Sequence, residues 1–130
     1  MVDKKRILVV DDEPDFCSII QGNLERDGFE VEIAYDGVEG LDKVRQNPPD
    51  AIILDVMMPE KDGYEVCREL KNDENFASIP ILMLTAVSSL GPSTRYSQYD
   101  RIELDADGYL SKPASAEKIT ASLKGLLNLP

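Results

Sequence analysis

Polar residues stand at the ends of hydrophobic runs, where a buried strand would stop: Asp11 and Asp12, Asp55, Thr85, and Lys112 followed by Pro113. The runs are Ile7-Leu8-Val9-Val10 before the acid pair, Ala51-Ile52-Ile53-Leu54 before Asp55, and Ile81-Leu82-Met83-Leu84 before Thr85. Parallel strands that end together would gather these side chains at one edge of a sheet, which in open α/β sheets is where ligands bind. Three carboxylates, a hydroxyl and an ammonium suit a divalent cation together with a phosphoryl group. Magnesium prefers oxygen ligands and keeps several waters, so one or two carboxylates plus a phosphate oxygen suffice.

Taken singly, each residue also has an ordinary reading. Asp12 or Glu13 would suit the positive end of a helix, Asp55 a turn before Met57-Met58-Pro59, Thr85 a strand end, and Lys112-Pro113 a loop. Against the ordinary reading of Asp55 stands the cost of burying a carboxylate without a partner. With a cation beside it, Asp55 becomes an accessible nucleophile. A carboxylate can attack phosphorus to form an acyl phosphate, provided the metal and a basic group offset the repulsion between anions. Thr85 would donate one hydrogen bond to a phosphoryl oxygen, and Lys112 would bring a compact positive charge to the same oxygens. A cis peptide at Pro113 would fix the lysine's approach.

The elements that must position these groups alternate apolar, β-rich segments with stretches of helical period, the pattern of a parallel sheet covered on both faces. Strands are expected near 6–10, 31–34, 51–55, 80–84 and 107–110, with no linker between the five βα units. The first helix should open at Pro14, favourable in a first turn, and carry Phe16, Ile19, Ile20 and Leu24 on its core face until Gly28. The second, from about Gly37 to Gln46, has Val38, Leu41 and Val44 at three-residue spacing and stops before Asn47-Pro48-Pro49-Asp50. A third should run from about Tyr64 to Lys71 with Val66, Cys67 and Leu70 inward, after the turn Lys61-Asp62-Gly63. The last should begin after Ser115 as N-cap and bury Ile119, Leu123 and Leu126 or Leu127. Between 86 and 104, Gly91-Pro92 interrupts any helix begun at Val87, and a short or displaced fourth helix is expected.

Composition limits the alternatives. One domain spanning 1–130 accommodates a sizeable core, and Lys plus Arg total 14 against 25 Asp plus Glu, a formal charge of −11. That balance disfavours direct nucleic-acid binding and anionic membrane surfaces. No apolar run approaches the roughly 18 residues of a membrane span, and the start lacks the long apolar region of a signal peptide, so a cytoplasmic location and no membrane insertion are expected. Cys17 and Cys67 have no partner at metal-binding spacing and the chain has no His, which argues for free, packed thiols and against zinc.

In order and spacing these motifs resemble the receiver domain of two-component response regulators over essentially the whole chain. The resemblance rests on Ile7-Leu8-Val9-Val10-Asp11-Asp12-Glu13-Pro14, on Pro49 to Pro59 with Asp62-Gly63, on Pro80 to Ala86, and on Ala106-Asp107-Gly108-Tyr109-Leu110-Ser111-Lys112-Pro113. It implies an α/β, doubly wound, flavodoxin-like fold with five parallel strands in the order 2-1-3-4-5. It further implies that Asp55 accepts a phosphoryl group from a sensor histidine kinase or phosphotransfer protein. Magnesium, or manganese, would be held by Asp11, Asp12, Asp55 and the backbone carbonyl of Met57, with Asp12 the direct ligand of the first pair and Asp11 acting partly through water. Thr85 and Lys112 would grip the new phosphoryl oxygens, and Tyr109, at the family's aromatic switch position, would turn inward as Thr85 moves toward Asp55. Its ordinary reading is a half-buried strand aromatic. The implied role is signalling, not turnover of a separate substrate: the domain assists its own phosphorylation and dephosphorylation and passes the change to an output domain or protein, or to a homodimer built through the fourth helix.

The chain departs from that pattern between Ala86 and Asp105, which is several residues longer than the family leads one to expect and has Asp105 where glycine commonly stands. The usual output surface is therefore in question. Met57 and Val87 are apolar where such domains often carry polar groups that influence attack by water, so slow loss of the phosphoryl group is expected. Two other classes compete. An unphosphorylated receiver-like interaction module gains from the altered segment but leaves the full chemical set unexplained. A flavodoxin-like cofactor binder would need glycines and free N–H groups where the first βα turn is acidic. A phosphatase would need a substrate pocket that no motif supplies.

Overall fold

The structure is a computed structural model that describes residues 4–58, 61–85, 106–112 and 114–129. The expectations for a helix within 87–104, for Val87 and for a cis peptide at Pro113 lie outside the described residues. Five parallel strands, β1 (Arg6–Val10), β2 (Glu30–Ala34), β3 (Ala51–Asp55), β4 (Ile81–Thr85) and β5 (Gly108–Ser111), form one sheet in the order β2-β1-β3-β4-β5. That is the expected doubly wound arrangement. The described helices are α1 (Pro14–Arg26), α2 (Gly37–Gln46), α3 (Gly63–Lys71) and α4 (Ala116–Leu126).

Strand alternation divides the core. Leu8 and Val10, Ile52 and Leu54, Ile81 and Met83 face α2 and α3, whereas Ile7 and Val9, Ala51 and Ile53, Leu82 and Leu84 face α1 and α4. Both faces of β3 and β4 are buried, which is why those strands read as continuous apolar runs. Each fully buried Leu or Ile contributes about 1.5–3 kcal/mol relative to exposure.

Local chemistry fixes the helix ends. Asp36, Asp62 and Ser115 are N-caps whose side chains accept from the N–H groups of Glu39, Glu65 and Lys118. The end of α1 turns through Gly28 at φ 97°, with Phe29 N–H donating to the Leu24 carbonyl and Gly28 N–H to that of Glu25, a Schellman closure. Its positive φ explains the glycine.

Two inward assignments are corrected. On α1 the buried stripe is Cys17, Ile20 and Leu24, while Ile19 is 62% exposed. At roughly 100° per residue Ile19 points nearly opposite Cys17, and spacing alone did not say which apolar stripe would win. On α2 the buried residues are Gly37, Gly40, Leu41 and Val44, with Val38 exposed. Glycines there let the helix approach closely: a Cβ at Gly40 would press on the Val10 side chain at 3.0 Å.

Candidate functional site

Strand register creates the site. Val10 pairs with Leu54, Asp55 with Leu84, and Thr85 with Ser111, so Asp11, Asp55, Thr85 and Lys112 emerge together at the C-terminal edge. The turns are held by backbone bonds, Asp11 N–H donating to the Ala34 carbonyl at 3.0 Å and Val56 N–H to that of Leu84 at 3.0 Å. Lys112 N–H donates to the Thr85 carbonyl at 2.6 Å, carrying the pairing of β4 and β5 one residue past the strand.

Asp11, Asp55 and Thr85 are buried, whereas Asp12 is exposed. The carboxylates of Asp11, Asp12 and Asp55 offer oxygens that all lie within 4.8 Å of one another. Lys112 Nζ sits among them, 3.1 Å from Asp11 Oδ2, 3.3 Å from Asp55 Oδ1 and 3.4 Å from Glu13 Oε1. Asp11 Oδ1 accepts from the Glu13 N–H at 3.0 Å, and Asp55 accepts from the Met57 N–H. The donor set is entirely hard oxygen, which fits Mg²⁺ or Mn²⁺ and not a thiolate- or imidazole-bound metal.

Crowded carboxylates in a buried site hold protons tightly. Burial, reinforced by the charge of Asp11, pushes Asp55 up to about 6 despite the lowering influence of Lys112. Asp11 is also raised, again mainly by burial. For Lys112 burial works to weaken the charged form, but Asp55 and Asp11 together outweigh it and the ammonium is held above its ordinary range. A cation or a phosphoryl group entering here would meet groups already arranged to compensate charge.

Tyr109 pairs with Met83 across the β4–β5 boundary and is 44% exposed, turned outward and not half-buried in the sheet face. Met57 is likewise exposed at 45%. Both cysteines are free and buried; Cys17 donates its thiol to the Asp11 carbonyl at 3.4 Å, and burial pushes it up to about 11, which makes it a packing group and not a nucleophile. At the opposite edge a hollow of about 300 Å³ is bounded by Arg6, Glu30, Glu32 and Asn47. The Arg6 guanidinium there is engaged by the Pro48 carbonyl at 3.0 Å and by Glu32 at 3.5 Å.

Two residues beside Lys112 were not singled out from the sequence. Glu13 follows the acid pair, and Phe16 was placed only on the core face of the first helix. Phe16 is half-buried, and its ring centroid lies 4.9 Å from Lys112 Nζ. The available signal was spacing: Phe16 follows Asp12 by one helical turn.

The fold and site define a phosphorelay-type receiver, and comparison with known proteins agrees. Residues 7–124 match the model of the response regulator receiver domain; the chain belongs to this family. It is 43% identical over 126 residues to the alkaline phosphatase synthesis transcriptional regulatory protein PhoP of Bacillus subtilis (strain 168), covering 95% of this chain and 48% of that protein. Response regulator MprA of Mycobacterium sp. (strain KMS) is 45% identical over 122 residues, 94% of this chain and 50% of that protein. The chain thus spans about half the length of these relatives. Among solved structures, the signal receiver domain of a signal transduction histidine kinase from Syntrophus aciditrophicus superposes with a TM-score of 0.85 at 32% identity, covering 95% of this chain and 90% of that one. Chemotaxis protein CheY4 of Vibrio cholerae gives 0.82 at 30% identity, covering 95% and 99%. The chain is a two-component signalling domain.

Proposed function

We propose that Asp55 is the phosphoacceptor, and that a histidine kinase or phosphotransfer protein donates to it in the presence of Mg²⁺. The observation that carries this reading is the position of Lys112 Nζ between Asp11 Oδ2 and Asp55 Oδ1, at 3.1 and 3.3 Å. An Asp55 oxygen forms the new O–P bond as the bond from phosphorus to the donor's imidazole nitrogen breaks. The imidazole keeps that electron pair and leaves neutral when its other nitrogen is protonated. Bound Mg²⁺ would neutralise charge shared between the acceptor and the transferring group; Asp11, Asp12, Asp55 and the Met57 carbonyl would hold it. Asp12 is exposed and able to turn toward an ion, whereas both oxygens of buried Asp11 already accept hydrogen bonds, from Glu13 N–H and from Lys112.

Lys112 and Thr85 take the roles of charge partner and hydroxyl donor to the phosphoryl oxygens. Phosphorylation adds about −1.5 to −2 charges and strong acceptors, drawing Thr85 toward Asp55 and giving outward Tyr109 room to turn in. To reverse a 1:99 population this must favour the active form by roughly 5.5 kcal/mol. In this way the domain assists its own phosphorylation and dephosphorylation. One receiver domain over residues 1–130, acting in the cytoplasm on an output domain, a partner protein or a second copy, completes the proposal; no helix among the described residues is long and apolar enough to cross a membrane.

Intact mass after incubation with a small acyl-phosphate donor tests the chemistry. One Mg²⁺-dependent phosphoryl addition in the wild type, absent in Asp55→Asn, is expected. Absence of any addition in folded, Mg²⁺-binding protein would favour an interaction module that is never phosphorylated.

A further inference from the structure

Lys112 has competing acceptors. Asp11 and Asp55 lie on the buried side, but the Glu13 carboxylate is 3.4 Å away and 66% exposed, and a cavity of about 320 Å³ lined by Glu13, Phe16, Lys112 and Ala114 leaves the ammonium a way outward. A lysine stem is flexible. Ion pairs alone would let Nζ divide its time between the acceptor carboxylate and the rim.

Phe16 stands beside this ammonium. It is the third residue of α1, one turn beyond Asp12, and its half-buried side chain packs against the apolar cluster beneath α1 and α4 that also holds Ala114. The next residue, Cys17, is locked inward, with its thiol donating to the Asp11 carbonyl and its N–H to that of Glu13 at 3.0 Å. The backbone from which Phe16 projects is therefore tied to the same turn that carries the acid pair. Its ring centroid lies 4.9 Å from Nζ, inside the roughly 6 Å at which an aromatic quadrupole attracts a cation.

We propose that Phe16 is a positioning residue for phosphoryl transfer, its ring holding the Lys112 ammonium beside Asp55 through a cation–π contact. The proposal rests on Asp55 being the phosphoacceptor. Phe16 touches neither the acceptor nor the transferring group; it acts through Lys112. Removing the attraction should lower the fraction of time Nζ spends beside Asp55, and with it the rate of transfer, by about 5- to 10-fold, the range expected of a partly desolvated cation–π pair.

Graded ring fluorination at position 16 separates this from packing. Fluorine withdraws density from the ring face and weakens cation binding stepwise, yet leaves the side chain close to its original shape and more apolar. The full chain carrying Phe, then mono-, di- and trifluorophenylalanine at position 16 would be compared for phosphorylation by a small acyl phosphate in Mg²⁺. In the unphosphorylated protein, ammonium ¹⁵N–¹H NMR would follow proton exchange of Lys112 with water. The expected result is a stepwise fall in rate and a parallel rise in exchange, with Phe16→Leu near the most fluorinated form, Phe16→Trp near wild type, and melting temperature nearly constant. Rates and exchange that stay flat across the series overturn the proposal. The NMR arm reads the resting state, so a wild type that takes no phosphoryl group would sink the acceptor assignment while the Lys112 contact was still tested.

Discussion

Lys71, at the end of α3, and Asp107, just before β5, form an ion pair of 2.9 Å, and each also closes backbone valences of its surroundings. Lys71 Nζ donates to the carbonyls of Ala77 and Ile79 at 3.0 and 2.9 Å, while the Asp107 carboxylate accepts from the Ile81 N–H at 2.8 Å. This knot ties α3, the following turn, β4 and β5 together at the edge of the sheet away from Asp55. Lys71→Met is expected to cost about 2–4 kcal/mol, because it leaves two carbonyls and a carboxylate short of a donor. Urea unfolding would measure the loss, and Mg²⁺ affinity should change less than threefold, since the acid pair and Asp55 lie at the other edge. A cost below about 0.5 kcal/mol would mean that water replaces the ammonium without penalty.

The protonation state of the acid site gives a pH dependence with a definite sign. Asp55, pushed up to about 6, and Asp11, also raised, bind protons more tightly in the folded chain than in the unfolded one. Between roughly pH 4 and 6 the native state therefore carries the extra protons, and stability falls as pH rises through that window. Lys112 is raised as well and acts in the same sense at higher pH: its stabilisation is fully present below its ordinary value of 10.5 and is lost as pH rises through its folded value. In chelator, the wild type is expected to be more stable at pH 5 than at pH 7 by on the order of 1–2 kcal/mol. Asp55→Asn should flatten that slope and exceed the wild type at pH 7. Denaturant melts across pH 5–8 decide it; a wild-type stability that climbs from pH 5 to 7 without metal would contradict the assignment.

Glycines near the site are not equivalent. A Cβ at Gly63 would fall onto the Asp55 carbonyl oxygen, and one at Gly37 onto the Lys61 carbonyl oxygen and the Val66 side chain. At Gly22 in α1 it would meet nothing within 4 Å. Gly63→Ala is expected to destabilise by about 1–3 kcal/mol through backbone displacement and to weaken Mg²⁺ binding, because the displaced residue is Asp55 itself. Gly22→Ala should stabilise by about 0.5–1 kcal/mol. Thermal melts with and without Mg²⁺ on both variants make the comparison, and equal effects at the two positions would mean the close approach at Gly63 relaxes freely.

Much of this was legible because burial and chemistry coincide at strand ends. The apolar runs before Asp11, Asp55 and Thr85 are strands buried on both faces, so a polar residue closing each had to mark an edge, and Pro14 and Asn47-Pro48-Pro49 marked helix limits through backbone chemistry alone. Ile19 and Val38 were misplaced because an apolar residue at helical spacing identifies a stripe without saying which neighbour covers it. Phe16 escaped for a related reason: its partner is 96 positions away, and the contact depends on how α1 meets the residues after β5. Pairings of that range follow from the packed fold, whereas a cap such as Asp36 on Glu39 N–H is written within four residues.

The lifetime of the acyl phosphate should be set in part by Met57. This residue stands two positions after Asp55, is 45% exposed, and donates its N–H to the carboxylate of Asp55, the proposed acceptor. A thioether orients water poorly, being only a weak acceptor. An amide or carboxylate there could hold a water in line with the O–P bond, supplying the positioning and proton acceptance that the apolar side chain lacks. Met57→Asn and Met57→Glu are therefore expected to shorten the lifetime of phosphorylated Asp55 by about 3- to 10-fold, with Glu the larger because it can also take the proton. Decay would be followed by intact mass after removal of the donor, in Mg²⁺, with Met57→Leu as the apolar control. Lifetimes indistinguishable among Asn, Glu and Leu would remove Met57 from the control of hydrolysis and leave the rate to groups that face the acceptor from β4 and Lys112.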